Sequence, residues 1–235
     1  MSQQPKGQRI AWIPETTPPP GQHLGRHIHF DERSRAYRVP VDDTTTIQSR
    51  IWKRKVQAFT QGDRNACTGN GAAGLLCTEP FHQKGLRCNE TLARKIYSLA
   101  TRKDQLKGVW PPDDTGSTVL AAMKALRELG LIREYRWGFG IQDVLKTLST
   151  LGPVEIGVHW DVGFDHPDAK GFVKRKGRSR GGHAFELLGV DVTTQRVWAI
   201  NSWSPGWGLS GLFCFSWEDL DHMLRHDGEA ATLVI

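Results

Sequence analysis

The chain has 235 residues, a formal net charge of +6 and a sequence pI near 9.3. Hydrophobic residues make up 38% and charged residues 24%, values typical of a globular chain that buries a core. Its apolar runs fall far short of the ~20 residues that a membrane-spanning helix needs, so we expect no membrane partner. The first residues lack the apolar core of a secretory signal, and we expect a cytoplasmic location.

Residues 1–45 are interpreted as an N-terminal extension that is partly disordered. Residues 16–21 include three consecutive prolines, which is typical of a stiff, extended spacer. Three histidines, His23, His27 and His29, suggest a metal site. Surface histidines are the favoured interpretation, because no cysteine or carboxylate accompanies them at helical spacing.

Three amphipathic helices are predicted next. The first begins at an Asn89 cap, and the second runs from a Ser117 cap to a stop at Gly130. The third carries apolar residues at helical spacing and ends at Gly152-Pro153. Residues 46–140 therefore indicate a mainly helical lobe.

Beyond Pro153 the apolar residues repeat with period two. Val154, Ile156 and Val158 alternate with less apolar neighbours, which predicts a half-buried strand. Residues 141–235 are interpreted as a mainly β lobe, and the segregation of helices from strands predicts an α+β fold. Further strands are predicted at 183–190, 197–203, 211–217 and 230–235, with a short helix at 218–224.

A basic run lies just before His183. Its members are Lys170, Lys174, Arg175, Lys176, Arg178 and Arg180. A solvated, mobile loop is the favoured interpretation. A guide for an acidic substrate is the alternative, and nucleic acid is the least favoured partner because no aromatic platform accompanies the run.

The four cysteines are Cys67, Cys77, Cys88 and Cys214. They are too few and too irregularly spaced for a disulfide framework, and the absence of a CxxC pair argues against structural zinc. Reduced thiols are favoured at Cys77 and Cys88, with a disulfide between them as the alternative. We expect neither a metal nor any other cofactor.

Cys67 is the candidate nucleophile. Asp63 or Asn65 would cap a helix that follows, and the positive end of that helix would favour the thiolate. Residues 68–76 are glycine-rich and form helix poorly, so the helix requires close packing in the core. Taken alone, Cys67 is better explained as a small buried residue. Its candidacy depends on three further residues.

These three residues are His183, Asn201 and Gln61. His183 begins an apolar strand, where its ring nitrogens need polar partners, and Asn201 ends a neighbouring predicted strand. A neutral amide would orient the imidazole and leave it free to form an ion pair with a thiolate. The side-chain amide of Gln61, together with the Cys67 backbone N–H, would form a two-donor oxyanion hole, although Gln61 alone is simply a turn residue.

The motifs Gln61-Gly62…Cys67, Gly182-His183-Ala184 and Asn201-Ser202-Trp203…Gly206-Trp207-Gly208 resemble those of papain-like cysteine peptidases. The resemblance spans residues 47–235 and implies a two-lobe fold, with cysteine on the helical lobe and histidine and asparagine on a β-barrel-like lobe. It implies that Cys67 is the nucleophile, His183 the base and then acid, Asn201 the orienting residue and Gln61 the oxyanion donor. By the same resemblance, Trp203 covers the His–Asn bond, Trp207 packs nearby, and Gly116, Ser117, Gly157 and Ala184 bind substrate.

Two residues depart from the family pattern. Arg64 stands where the family has a cysteine, and Thr68 stands where an aromatic residue follows the nucleophile. The interval from Cys67 to His183 is also shorter than the roughly 130–150 residues usual in the family. These differences favour a compact, disulfide-free, bacterial or phage-like branch. A phage-encoded chain would act in the virion or the host cytoplasm.

The leading hypothesis is a peptidase that cleaves polypeptides through a thioester acyl-enzyme. A transpeptidase or isopeptidase shares the first half-reaction, and a non-catalytic nucleic-acid- or virion-associated module is a second alternative. The extension offers a further hypothesis, because the apolar cluster at residues 10–13 precedes the proline spacer. Under this hypothesis, the extension folds over the cleft as an inhibitor. An attachment tail or a disordered segment is the favoured alternative.

Overall fold

The computed structural model describes residues 6–235. The helices are α1 (Cys67–Leu75), α2 (Glu90–Ala100), α3 (Val119–Glu128), α4 (Ile141–Thr150) and α5 (Trp217–Arg225), with 3-10 helices at Glu32–Tyr37 and Val162–Phe164. The strands are β1 (Gln8–Ala11), β2 (Arg26–Asp31), β3 (Arg50–Ile51), β4 (Ser117–Thr118), β5 (Glu134–Gly138), β6 (Val154–Asp161), β7 (Ser179–Asp191), β8 (Arg196–Ile200), β9 (Leu212–Ser216) and β10 (Glu229–Val234). None of the helices in this range has the length and apolar character needed to cross a bilayer.

Close packing stabilises helix α1 despite its high glycine content, as predicted. A Cβ atom on Gly69 would lie 2.6 Å from the backbone oxygen of Ala93 in α2. One on Gly71 would lie 2.8 Å from the carboxylate of Glu155 in β6. The glycines therefore let α1 approach both α2 and the sheet, and burial of the whole helix offsets its weak intrinsic propensity.

The caps of α2 and α3 differ in how well they were predicted. The Asn89 cap is confirmed, since its side chain accepts from the Leu92 N–H at 3.1 Å. The Ser117 cap is wrong, because Thr118 accepts from the first turn of α3 instead. Ser117 lies in β4, and its hydroxyl donates to the Asp104 carboxylate at 2.7 Å.

Neither Asp63 nor Asn65 caps α1, which corrects the prediction for the nucleophile helix. The N-cap residue is Ala66, which makes no side-chain cap bond. The Asn65 amide instead donates to the backbone oxygen of Asp114 at 2.8 Å, so the α1 end is held through a neighbouring loop.

The larger sheet has the order β5-β10-β6-β7-β8-β9, with β3 paired to β7, and its strands are antiparallel. The α+β class is confirmed, as are the predicted strands near 154, 183–190, 197–203, 211–217 and 230–235. Strand β6 is buried on both faces, so the half-buried expectation is wrong. The reason is α1, which covers the face that carries Glu155.

The boundary between residues 46–140 and 141–235 stays a prediction. Strand β5 precedes it and pairs with β10 of the β lobe. Two large apolar clusters occupy the described residues. One surrounds α1, α2 and α3, and the other lies between the sheet, α4 and α5.

The extension forms a second sheet, although its sequence shows no strand period. Strand β2 pairs with β1 antiparallel and with β4 parallel, in the order β1-β2-β4. The predicted disorder also concerned residues 1–5, which lie outside the described residues. Strand β2 thus joins the extension to the start of α3.

His27 and His29 are buried, so the expectation of surface histidines is wrong for both. Trp12 stacks on the His27 ring with a centroid distance of 3.9 Å. Nδ1 of His27 accepts from the Ile13 N–H at 3.0 Å, and Nε2 bonds the Thr115 carbonyl at 2.7 Å. The ring is covered by residues remote in sequence, which no local pattern reveals.

The basic run divides into an exposed part and a buried end. Lys170, Lys174, Lys176 and Arg178 are exposed. Arg180 is buried, and its Nε donates to the Asp165 carboxylate at 3.0 Å. Arg180 is therefore part of the core and adds nothing to the surface charge of the loop.

Candidate active site

Cys67 is the first residue of α1 and is fully buried. As the first helical residue, its N–H has no partner within the helix and stays available to a ligand. Its sulfur takes part in a backbone hydrogen bond with Ala184, the residue that follows His183 in β7. The candidate thiol and imidazole therefore belong to adjoining elements.

His183 and Asn201 are joined directly. Nε2 of His183 lies 2.9 Å from Oδ1 of Asn201, and the same oxygen accepts from the Ser202 N–H at 2.8 Å. An amide oxygen only accepts, so Nε2 carries the proton in this pair. Nδ1 of the neutral ring is then unprotonated, and it is buried without a hydrogen-bond partner among the described residues.

Three tryptophans enclose this pair. Trp203 stacks on the His183 ring at a centroid distance of 4.8 Å, and Trp160 meets its edge at 4.9 Å. Trp207 packs against Trp203 at 5.3 Å, and its indole N–H donates to the Asp165 backbone. The aromatic enclosure excludes water from the His–Asn bond and thereby strengthens it.

The closed structure holds the thiol and the imidazole in their neutral forms. Burial raises the pKa of Cys67, although the backbone hydrogen bond with Ala184 opposes the shift. Burial also lowers the pKa of His183 to about 3, against the opposing effect of its bond to Asn201. Separate charges are costly in this environment, so access of water must precede formation of an ion pair.

The side-chain amide of Gln61 is fully engaged. Its Nε2 donates to the Arg64 backbone at 2.7 Å and to the His23 backbone at 3.0 Å, and its Oε1 accepts from the Ser202 hydroxyl at 2.6 Å. Ser202 thus fixes the amide so that its NH2 group points towards His23. The amide that was predicted to donate to an oxyanion is therefore occupied in part by the extension.

Three of the four predicted substrate residues contact the extension. A Cβ on Gly116 would lie 2.2 Å from the backbone oxygen of Gly25, and Ser117 N donates to that oxygen at 2.8 Å. A Cβ on Gly157 would lie 2.8 Å from Nε of Arg26. Ala184, fully buried, pairs with Gly157 across β6 and β7.

The extension crosses the groove between the lobes as an extended peptide. The Gly25 N–H donates to the Gly182 carbonyl at 3.1 Å, on the opposite side from its bond with Ser117. The His23 carbonyl accepts from the Trp203 indole at 2.8 Å as well as from Gln61. Residues 23–26 therefore lie against residues that were predicted to bind substrate and to carry the chemistry.

Several residues that contact the candidate site or the extension were not predicted from the sequence. Ser202 lies inside the recognised Asn-Ser-Trp motif, but no role was assigned to it. Trp160 had no local signal, and neither did Glu229, which bonds Arg26. Among residues 6–235, no group of three or more His, Cys, Asp or Glu is arranged to hold a metal ion.

Comparison with solved structures identifies the fold. The chain matches xylellain, a cysteine protease from Xylella fastidiosa, with a TM-score of 0.72 and 14% identity over 94% of this chain and 99% of that one. It matches proCathepsin B S9 from Trypanosoma congolense with a TM-score of 0.60 and 12% identity, over 90% and 86% of the two chains. The architecture is the papain-like two-lobe fold.

Sequence comparison gives the same relationship. The chain is 28% identical over 142 residues to Cathepsin B-like CP2 of Giardia intestinalis, which is 54% of this chain and 47% of that protein. The chain therefore has the papain-like fold and resembles cathepsin B-like proteins over about half of its length. It spans about half the length or less of the curated relatives it matches first. No family model matches the chain, and the bacterial or phage-like branch stays a prediction.

Proposed function

We propose that the chain is a cysteine peptidase that hydrolyses peptide bonds through a thioester acyl-enzyme. One observation carries the proposal: Nε2 of His183 is tied to Asn201, which leaves Nδ1 as an unpartnered base in the strand beside Cys67. This pairing of an oriented imidazole with a thiol is the arrangement that nucleophilic acyl transfer requires.

In the proposed reaction, Nδ1 of His183 takes the proton of the Cys67 thiol. The sulfur attacks the peptide carbonyl carbon, and the Gln61 amide and the Cys67 N–H stabilise the oxyanion. The protonated imidazole then gives its proton to the leaving amine as the C–N bond breaks. Water loses a proton to Nδ1 and attacks the thioester, and the thiol is regenerated.

We further propose that the chain is latent while its extension fills the groove. The Gln61 donor is occupied by His23, and Gly25 bridges Ser117 and Gly182. Burial keeps Cys67 and His183 neutral while the extension lies against neighbouring Gln61 and Gly182. Release of the extension opens the groove and admits water, so it activates the thiol. This is the inhibitor hypothesis for residues 1–45, in preference to an attachment tail.

The preference for acidic substrates remains a narrower proposal. Exposed Lys170, Lys174, Lys176 and Arg178 supply positive charge on one loop. Reversing Lys174 and Lys176 to Glu is expected to slow cleavage of acidic peptides more than neutral ones. An equal effect on both peptides refutes the guiding role. Surface charge of this kind acts mainly on association rates and weakens with added salt.

The test of the main proposal is selective alkylation combined with peptide cleavage. A Gly25→Val chain, in which we expect the extension to be expelled, is treated with iodoacetamide near neutral pH. We expect rapid labelling of Cys67, its loss when His183→Ala is added, and cleavage of an unbiased peptide library. Labelling of Cys67 no faster than that of half-buried Cys88, with no peptide cleaved, supports the non-catalytic alternative. Products formed with an added amine distinguish transfer from hydrolysis.

A further inference from the structure

Asp114 joins the loop that leads to Cys67 to the residues that begin strand β4. Its carboxylate accepts from the backbone N–H of Asn65 at 3.0 Å and from the hydroxyl of Tyr97 at 2.6 Å. The side-chain amide of Asn65 also donates to the Asp114 backbone oxygen, at 2.8 Å. Asn65 lies two residues before Cys67, so two hydrogen bonds hold the approach to the candidate nucleophile at Asp114.

The Tyr97 hydroxyl continues this link to β4. It donates to Asp114 and accepts from the Gly116 N–H at 3.0 Å, so its proton and a lone pair are both used. Tyr97 belongs to α2 and is fully buried, and burial together with the bond to Asp114 raises its pKa. The hydroxyl therefore keeps the proton that it donates. Gly116 directly precedes Ser117, the β4 residue whose N–H bonds the extension.

Gly25 of the extension touches both ends of the link. A Cβ on Gly25 would lie 2.2 Å from the backbone oxygen of Asn65. A Cβ on Gly116 would lie 2.2 Å from the backbone oxygen of Gly25. The link therefore joins two backbone segments that a single residue of the extension contacts at once, and it lies at the groove rather than in a remote part of the helical lobe.

The start of α1 depends on this link because it has no side-chain cap of its own. The N-cap residue, Ala66, makes no side-chain cap bond. The Cys67 N–H, which is one of the two donors proposed for the oxyanion, takes its direction from the backbone just before it. A displacement of about 1 Å in a reacting group can cost about 10²-fold in rate. Support of this loop therefore bears directly on the proposed chemistry.

We propose that Asp114 is a positioning residue, which sets the loop before Cys67 and the backbone of Gly116-Ser117 at the separation that the reaction needs. The inference rests on the proposed peptidase function and adds a residue that supports it. Asp114 acts through two arms, in which Asn65 places the nucleophile and Tyr97 places the substrate-binding strand. A carboxylate suits this role because its two oxygens serve one arm each and bind donors more strongly than a neutral acceptor does.

The first test measures the thiol and needs no peptide cleavage. Iodoacetamide is too small to require the substrate-binding strand, so its rate of reaction with Cys67 reports the Asn65 arm. In the Gly25→Val chain, Asp114→Ala is expected to slow this alkylation at least about tenfold, as for a lost hydrogen bond to a charged group. Asp113→Ala removes the exposed neighbouring carboxylate and is the matched control. Equal alkylation rates in the two variants overturn the proposal.

The second test separates the two arms with a fluorogenic peptide in the same Gly25→Val chain. Tyr97→Phe removes the bond to the Gly116 N–H, so it should raise KM about fivefold, the effect of one hydrogen bond, and act less on kcat. When Asp114→Ala is also present, Tyr97→Phe should raise KM less, because Asp114 no longer holds the hydroxyl. An equal rise in KM with and without Asp114 overturns the proposal.

Folding and the peptidase function are checked separately. Should Asp114→Ala fail to fold, Asp114→Asn takes its place, because it keeps one oxygen acceptor and should slow alkylation by a smaller factor. Slower alkylation of Cys67 in the Asp114 variant, with no peptide cleaved by any chain, supports the link and contradicts the peptidase function. Cleavage of peptides by every variant at one common rate supports the peptidase function and overturns the positioning role.

Discussion

The backbone oxygen of His23 lies 3.0 Å from Nε2 of Gln61. This amide is the group expected to hold the oxyanion of an acyl-transfer reaction, and the chain has placed one of its own carbonyls against it. Ser202 fixes the amide from the other side through a 2.6 Å bond to its oxygen. Under the proposed function, the donor is oriented before substrate binds, and the extension must leave before the donor acts.

Gly25→Val should open the groove. Gly25 has φ +109, and a Cβ there would lie 2.2 Å from the Asn65 carbonyl, so a β-branched residue fits neither the backbone nor the space. We expect turnover of a fluorogenic peptide to rise by roughly 5- to 150-fold, since strain of this kind costs roughly 1–3 kcal/mol. Exposed Pro20→Ala, in the same extension, is the matched control and should change little. Unchanged turnover in Gly25→Val would argue against latency.

Asn201→Ala should impair the base. The substitution removes the acceptor for Nε2 of His183, so the ring loses its orientation. In the Gly25→Val background, we expect kcat/KM to fall about 10²-fold, the effect of a small misplacement of a reacting group. Asn89→Ala removes an amide of the same size from the α2 cap. It should cost about 1 kcal/mol of stability and leave kcat/KM unchanged.

Gln61→Ala should move two measurements in opposite directions. It removes the bond to His23, so alkylation of Cys67 in the otherwise wild-type chain should become faster. It also removes the oxyanion donor, so kcat in the Gly25→Val background should fall by about 10²–10³. A purely structural turn residue would lower both values together or neither.

Acid should loosen the extension. Burial lowers the pKa values of His27 and His29 to about 4 from 6.5, so the folded state binds fewer protons than the released strand between these pH values. The stability that they contribute is full above pH ~6.5 and falls by about 1.4 kcal/mol per pH unit for each histidine towards pH 4.

Amide hydrogen exchange across residues 24–31 measures this loss. His29→Leu removes a ring whose nitrogens are unpartnered among the described residues, so it should reduce the pH dependence without breaking a bond. Exposed His226→Gln is the control and should keep the wild-type slope. The same slope in all three proteins would rule out these histidines as the cause.

Glu155→Gln should stabilise the protein as the pH rises. Burial and the nearby Glu229 raise the pKa of Glu155, and neither of its oxygens has a hydrogen-bond partner among the described residues. Folding therefore favours the protonated form, and wild-type stability falls as the pH rises above the unfolded value of ~4.3.

Chemical denaturation between pH 4 and pH 8 checks this expectation. The advantage of Glu155→Gln should widen by at least about 1.4 kcal/mol across that range, the equivalent of one pKa unit. Glu218→Gln alters an exposed carboxylate and should show no such trend. A constant difference between Glu155→Gln and wild type would contradict buried protonation.

The sequence predicted the features that depend on neighbouring residues. Asn89 caps α2 and Gly130 follows the end of α3 because caps and stops involve residues within one turn. The residues proposed for the chemistry, Cys67, His183 and Asn201, stand in short motifs that the family resemblance made readable. Helices and strands with a clear apolar period were predicted within a few residues.

Features that depend on remote partners were not predicted. Strand β2 pairs with β4 through only two residue pairs, and the paired residues are far apart in sequence. No local hydrophobic period therefore predicts this pairing. Burial of His27 depends on Trp12 and Thr115, and burial of the Arg26 side chain depends on its bond to Glu229. Ser117 and Thr118 both have a side chain suited to cap α3. The Ser117 hydroxyl bonds Asp104, which is remote in sequence, and Thr118 is left as the cap.

The segment that fills the groove is joined to the rest of the chain through residues 32–49, which connect β2 to β3. Closure is therefore unimolecular, and dilution of the intact protein does not weaken it. A single cut within that connection would turn the occupant into a separate molecule, whose occupancy falls as the solution is diluted. The covalent tether gives the weakly paired peptide a high effective concentration, and backbone cleavage at this place removes that advantage without altering any contact in the groove.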